Sequence, residues 1–423
     1  MPLFPRTTTS RSGRLDFAAA QKLVAGFASS AKVHEAFEWF RSHEREIATF
    51  QLEITSVGAA PFGEERRSKF FAEALEILGY SVERDEVGNV LAFVDSPSKA
   101  SPALAISAHL DTVFPEDTRL DIRREHTRLL GPGISDNGAG LAAIWALAAV
   151  IKDCGLRMKH PVLLLGNVGE EGDGDLRGMR HLFAQERWRD GISALLVVDG
   201  AGVDSIVAEA LGSRRFEVKI HGPGGHSWSD FGVPNPIVAI ARAIDLITEL
   251  PLPATPKTTI NVGTIEGGTS VNTIPESASM RVDVRSSEPL ELDRLERSMQ
   301  ECVRQAVTDS QSPRSVHKHL RYEIRVVGNR PAAELHLDAP ILHAVRAADS
   351  QLGIKSRIHR ASTDANIPLS LGIDALAIGA GGSGGGAHTL HEWFEPLGRD
   401  TGLKRILLAT LVLAGLKETG TRE

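Results

Sequence analysis

Imidazoles and carboxylates recur at the ends of apolar segments in this sequence, and together they could assemble a hydrolytic metal site. His109 and Asp111 close the run SAHLD. Residues two apart on a strand point the same way, so these two side chains share a face. Asp136 stands in GPGISDNG, just before a helical pattern. Glu170 and Glu171 follow VLLLGNVG, Asp199 follows ALLVV, and His388 follows a glycine-rich loop at residues 379–386. Mixed imidazole and carboxylate donors suit zinc, manganese or cobalt, and the lack of cysteines at ligand spacing argues against a structural zinc knot. Two cations about 3.5–4 Å apart need a bridging carboxylate with terminal ligands on either side. A further carboxylate must stay unligated to take the proton from an activated water. The acids and imidazoles named here supply such a set.

Each piece alone has a plainer reading. A His-x-Asp is ordinarily a strand end with a solvated acid, a Glu pair is ordinarily surface charge, and an Asp before a helix is ordinarily its N-cap. Asp199-Gly200 could be a simple turn and His388 a loop residue. The concurrence is what counts: every one of these groups follows an apolar strand or opens a helix.

The elements that must position them are legible from the apolar pattern. Short apolar runs at residues 90–94, 103–108, 162–165, 195–198 and 375–378 read as buried strands. Helical patterns at 138–152 and 176–185 lie between them, and 31–54 and 63–79 read as amphipathic helices, the second stopped by Gly79. The alternation predicts an open α/β sheet with helices on both faces, and such sheets bind ligands beyond the C-terminal ends of their strands. The middle of the chain differs. Strand 214–221, helix 236–250, strands 258–265 and 277–285, helix 289–307 and strand 322–327 give the β-α-β-β-α-β order of a small ferredoxin-like domain. The expected organisation is a metal-binding catalytic domain of residues 31–212 and 328–423, an inserted domain of residues 213–327, and a frayed or disordered tail at residues 1–30.

Composition narrows the class. A chain of 423 residues is long for one domain. Its 47 basic and 54 acidic residues, net charge -7, argue against the basic face of a nucleic-acid protein. There is no apolar run of about 18 residues to span a membrane. The opening MPLFPRTTTSRSGRLD carries charge but no apolar segment of a signal peptide. Cys154 and Cys302 are too few for a disulfide framework and are expected to be reduced thiols, consistent with a cytoplasmic protein and no membrane partner.

The segments SAHLDTVF, GPGISDNGAG, NVGEEGDGDLRG, VVDG, GPGGHS, GGTSVNTIP, DVRS and GGGAHTLHEWF occur in that order over residues 104–395. As a set they resemble the co-catalytic dinuclear zinc metallopeptidases, which include peptidase T, glutamate carboxypeptidase, acetylornithine deacetylase and succinyl-diaminopimelate desuccinylase. The resemblance implies a zinc exopeptidase-like catalytic domain with an open mixed sheet, plus an inserted α+β ferredoxin-like lid and dimerisation domain. It implies two divalent metal ions, zinc first with cobalt or manganese as alternatives. His109 and Asp199 would hold one ion, Glu171 and His388 the other, and Asp136 would bridge both. Glu170 would be the general base, and Asp111 would orient the His109 ring. His391 is a rival to His388, which is preferred because Glu392 follows it four residues later, before an aromatic. From the inserted domain, His226 would reach the active site of a partner subunit and stabilise an oxyanion, implying a homodimer. Asn272 and Arg285 resemble a substrate-binding pair, the arginine offering a fork for a carboxylate.

Two features depart from the pattern or refine it. Asp173 and Asp175 are extra acids after the Glu pair, without the spacing of an EF-hand calcium loop. Residues 362–366, STDAN, resemble the segment near the substrate pocket of peptidase T relatives, which favours a short peptide substrate. The expected function is therefore a metal-dependent exopeptidase acting on short peptides, with an N-acyl amino acid deacylase as the alternative. A non-catalytic binding protein of the same fold would lack a ligand or the base, and none is missing. The glycine-rich loop lacks the Gly-Lys-Ser/Thr ending of a phosphate-binding P-loop.

Overall fold

The structure is a computed structural model that describes residues 15–94, 101–311 and 319–417. The chain divides into two compact units. One comprises Met1–Ala208, Leu335–His359 and Thr363–Glu423; the other comprises Glu209–Glu334 with Arg360–Ser362.

The first unit is organised on a mixed sheet. Its strands run in the order Val82–Arg84, Val90–Phe93, Val162–Asn167, Ala103–His109, Ile192–Val198, Asp374–Ile378 and Ser205–Ala210. The four from Val162–Asn167 to Asp374–Ile378 are mutually parallel, and antiparallel strands flank them on either side. Ala103–His109 and Val162–Asn167 are buried at every residue. A strand covered on both faces shows a continuous apolar run rather than alternation, which is why these strands were legible. Helices Gly138–Asp153 and Arg399–Ala414 pack on Ala103–His109. The parallel strands send their C-terminal ends, at His109, Asn167 and Val198, to one rim.

The expectation of a frayed or disordered tail is corrected for residues 17–28. Phe17–Ala28 is a helix, capped by Asp16 accepting the Ala19 N–H at 2.8 Å, and it buries Ala20 and Val24 beside helices Pro340–Leu352 and Arg399–Ala414. Its sequence is apolar on nearly every face, so no polar side marks out an amphipathic helix. Residues 1–14 of that tail lie outside the described residues. The single helix expected over residues 31–54 is two, Ala31–Ser42 and Glu44–Ser56. His43 ends the first by stacking its ring on Trp39, with centroids 4.1 Å apart.

A small antiparallel sheet was not anticipated. It runs in the order Ser383–Gly385, Trp393–Glu395, Arg128–Leu130, Arg123–Glu125. Arg128 lies over the Trp393 ring at 4.2 Å and pairs with Glu395 at 3.2 Å. Its three-residue strands are too short to give a periodic signal.

The second unit has the expected split β-α-β order. Its antiparallel sheet runs Thr258–Gly267, Ser277–Ser286, Gly212–His221, Arg321–Arg330. Phe216, Val218, Ile220, Met280, Val282 and Val284 alternate inward and meet Leu295, Met299 and Val303 of helix Pro289–Asp309. The unit extends beyond residues 213–327 because the ladder continues to Arg330, paired with Ser213. Both cysteines are free thiols. Among the described residues no helix is long and apolar enough to cross a membrane.

Candidate metal centre

His109 is the last residue of its strand and 1% exposed. Its Nδ1 lies 3.0 Å from the backbone carbonyl oxygen of Asp111. A proton held there leaves the Nε2 lone pair for a ligand role. Nε2 faces Asp136 Oδ1 at 3.0 Å and Asp199 Oδ1 at 3.6 Å. The buried Arg67 fixes this strand end by donating to the carbonyls of Thr55, Val57 and Leu110.

Asp111 is placed differently from the expectation. Its nearest carboxylate oxygen is 3.7 Å from the His109 ring nitrogen. Oδ1 instead accepts the backbone N–H of Glu170 at 2.9 Å, and Oδ2 that of Glu171 at 2.7 Å. Asp111 therefore positions the Glu pair with its carboxylate and touches the ring through its carbonyl. Two adjacent N–H donors satisfy a buried acid better than one distant imidazole.

Asp136 is not the cap of the helix it precedes. Asn137 takes that place, accepting the Gly140 N–H at 3.0 Å and donating to the Val198 carbonyl at 2.9 Å. The Asp136 carboxylate is left for the site. Its Oδ2 lies 3.1 Å from Nε2 of His388, and that nitrogen is 3.0 Å from Glu171 Oε1. His388 has φ 64, a left-handed conformation disfavoured for a side chain with Cβ and a form of local strain that collects at functional sites. The glycine strand before it packs tightly: a Cβ on Gly384 would meet Ser135 Oγ at 2.5 Å.

Ligand atoms converge within 4.8 Å in three groups among the described residues. They are His109, Asp136 and Asp199; Asp136, Glu171 and His388; and His109, Glu170 and Glu171. His391 joins none of them. The charge balance fits cations. Burial opposes charge on His109, yet the Asp111, Asp136 and Asp199 carboxylates around its ring raise it well above the usual imidazole range. Hydrogen bonds to Asp136 and Glu171 raise His388 to about 10. Burial opposes ionisation of Asp136 too, but the two histidines hold it far below the usual carboxylate range. The carboxylates thus demand positive charge where two ligand sets meet. Imidazolium protons supply it in the metal-free chain, and divalent cations with neutral imidazoles would supply it otherwise.

The family model for peptidase family M20/M25/M40 matches residues 105–414. The chain belongs to this family. A protein named "Probable carboxypeptidase" from Aspergillus clavatus is 29% identical over 264 residues, covering 56% of this chain and 57% of that protein. The match thus spans little more than half the length of this curated relative. A tripeptidase from Staphylococcus aureus superposes with a TM-score of 0.70 at 19% identity, covering 88% of this chain and 98% of the other. The YXEP protein of Bacillus subtilis, described as a dinuclear metal binding peptidase of family M20, superposes with a TM-score of 0.64 at 15% identity, covering 88% and 99%. In this member of the family, two of the three groups of convergent ligand atoms share Asp136.

Other residues of this M20 protein take definite places. The STDAN segment brings Asp364, fully buried, against Asn167, whose Nδ2 donates to Oδ2 at 2.7 Å. Asn167 is the ladder partner of His109. Burial pushes Asp364 up to about 7. Asp175 pairs with Arg180 at 3.1 Å and has φ 48, so it shapes the turn into helix Arg177–Ala184. In the second unit, His226 Nδ1 accepts the Trp228 N–H at 3.1 Å, which puts the ring proton on Nε2 and makes that atom a donor. Asn272 lies alongside, its carbonyl accepting the Ser227 N–H at 3.0 Å. Arg285 stands on strand Ser277–Ser286, where its Nε donates to Asp283 at 2.7 Å.

Sequence reading missed Asn137 as the cap, Arg67 as the brace of the strand end, and the contacts of Glu392. The Asn-Gly after Asp136 was a usable signal for the cap. A lone arginine in an amphipathic helix carries none.

Proposed function

We propose that this M20-family protein is an exopeptidase that cleaves short peptides at a pair of divalent cations, zinc first among them. The observation that carries this is Asp136, whose two oxygens each face a separate imidazole-carboxylate pair: His109 with Asp199, and His388 with Glu171. When bound, such a pair of ions would polarise a scissile carbonyl and make a water more acidic. Glu170, 6% exposed and held through its N–H by Asp111, is the acid left over for proton transfer. It takes the proton of the attacking water and delivers it to the leaving nitrogen. His226, with its donor at Nε2, stabilises the oxyanion from a second copy of the chain. Arg285 and Asn272 then receive the substrate's carboxylate and carbonyl. The protein works as a homodimer in the cytoplasm on this reading, in keeping with its free cysteines.

Support for a peptide substrate comes from the names of its relatives, a carboxypeptidase and a tripeptidase. The test is a panel of dipeptides, tripeptides, N-acetyl and N-succinyl amino acids. Each is given to metal-free protein reconstituted with zinc, cobalt or manganese. Turnover of short peptides is expected. Turnover confined to the N-acyl compounds would make the protein a deacylase instead.

A further inference from the structure

Glu392 belongs to neither ligand set, yet it is 0% exposed and its carboxylate faces the turn that carries Asp136. Oε2 accepts the Gly133 N–H at 2.7 Å, and Oε1 accepts the N–H groups of Ser135 and Asp136, each at 2.7 Å. Its own carbonyl accepts the Gly131 N–H at 2.9 Å. A single glutamate thus satisfies the amides of most of the turn at residues 131–136. Three backbone N–H groups donating at 2.7 Å to one buried carboxyl group are a short, rigid arrangement.

The small sheet explains why this contact is possible. Strand Arg128–Leu130 runs directly into the Asp136 turn, and strand Trp393–Glu395 begins directly after Glu392. The two pair through Trp393 with Leu130 and Phe394 with Leu129. Strand Ser383–Gly385, on the other side, leads into His388. Asp136 and His388 come from distant parts of the sequence, and this sheet with Glu392 at its end joins their loops.

We infer that Glu392 is a positioning residue that preorganises the bridging aspartate, locking the Asp136 turn to the His388 loop before any cation binds. The inference rests on the metal-centre reading above. It makes Glu392 control the uptake of both ions although it belongs to neither ligand set. Outer-shell partners of metal ligands typically account for about 10–100-fold in affinity.

Two measurements test it. In hydrogen exchange of the metal-free wild-type protein, a peptide covering residues 131–137 should be protected; free exchange there would overturn the inference without any variant. In titration calorimetry, folded Glu392→Gln should bind both ions about 10–100-fold more weakly than wild type, with Glu392→Asp recovering part of the loss. A Glu392→Gln protein with lower thermal stability but wild-type affinity would show a merely structural role and refute it. Asp136→Ala, run in parallel, separates the two claims. If Asp136→Ala loses the ions and Glu392→Gln keeps them, only the inference about Glu392 fails. If Asp136→Ala keeps them, the metal-centre reading fails as well.

Discussion

Asp136 Oδ2 lies 3.1 Å from Nε2 of His388, a residue 252 positions away in sequence. The other oxygen of the same carboxylate is 3.0 Å from His109. One side chain therefore closes two ligand sets. Removing it should empty both together. In Asp136→Ala, metal analysis and calorimetry should show both ions lost, each affinity falling by more than the roughly 100-fold that an outer-shell partner accounts for. Loss of one ion with retention of the other would contradict the bridging role.

Glu170 should be separable from the ligands. Its backbone N–H is fixed by Asp111, so shortening or neutralising its side chain leaves the turn in place. Glu170→Gln should keep its metal content and its melting temperature. Its kcat should fall by about 10²–10⁴, the usual contribution of a positioned general base. Near wild-type turnover with metal still bound would remove Glu170 from the mechanism.

The ligand strands could be read from sequence because burial on both faces leaves continuous apolar runs that end at polar residues, as at His109 and Asp199. The split β-α-β order of the second unit was readable for the complementary reason: one face of its sheet is polar, so Phe216, Val218 and Ile220 alternate with Arg215, Glu217 and Lys219. What holds the ligands in place was not readable. The Asp111 carboxylate could have gone to the His109 ring or to two amides, and only the fold shows that it goes to Glu170 and Glu171. In sequence Glu392 marks His388, but its amide contacts depend on a sheet of three-residue strands with no period to detect. Phe17–Ala28 escaped because its burial depends on helices Pro340–Leu352 and Arg399–Ala414, far along the chain.

Metal uptake should release protons. His388 is raised to about 10 from an ordinary 6.5 by its bonds to Asp136 and Glu171. A histidine raised on folding stabilises the metal-free protein fully below about pH 6.5, and that contribution is lost as pH climbs through about 10. A cation at this nitrogen must displace the proton. Affinity should therefore strengthen from pH 6.5 towards 10. Calorimetry at pH 7.5 in buffers of different ionisation enthalpy should register proton release, reduced in His388→Ala. Buffer-independent heats would rule this out.

Asp364 should titrate in the opposite sense. Burial raises it from 3.8 to about 7, and its one hydrogen bond comes from Asn167. The folded metal-free protein keeps this proton over a range where the unfolded chain has lost it. The group therefore withdraws stability progressively as pH rises from about 4 to 7, and the full loss persists above. Asp364 Oδ1 and Asn167 Oδ1 are both buried without a hydrogen-bond partner. In Asp364→Asn the new amide keeps an acceptor for Asn167 and brings a donor for the Asn167 oxygen, with no charge to bury. At pH 8 the metal-free variant should be more stable than wild type by about 1–3 kcal/mol, the scale of an unsatisfied buried polar group. The gap should close as pH falls towards 4. Denaturant unfolding at both pH values checks this, and a variant less stable than wild type at pH 8 would mean that Asp364 is held ionised by contacts worth more than its burial.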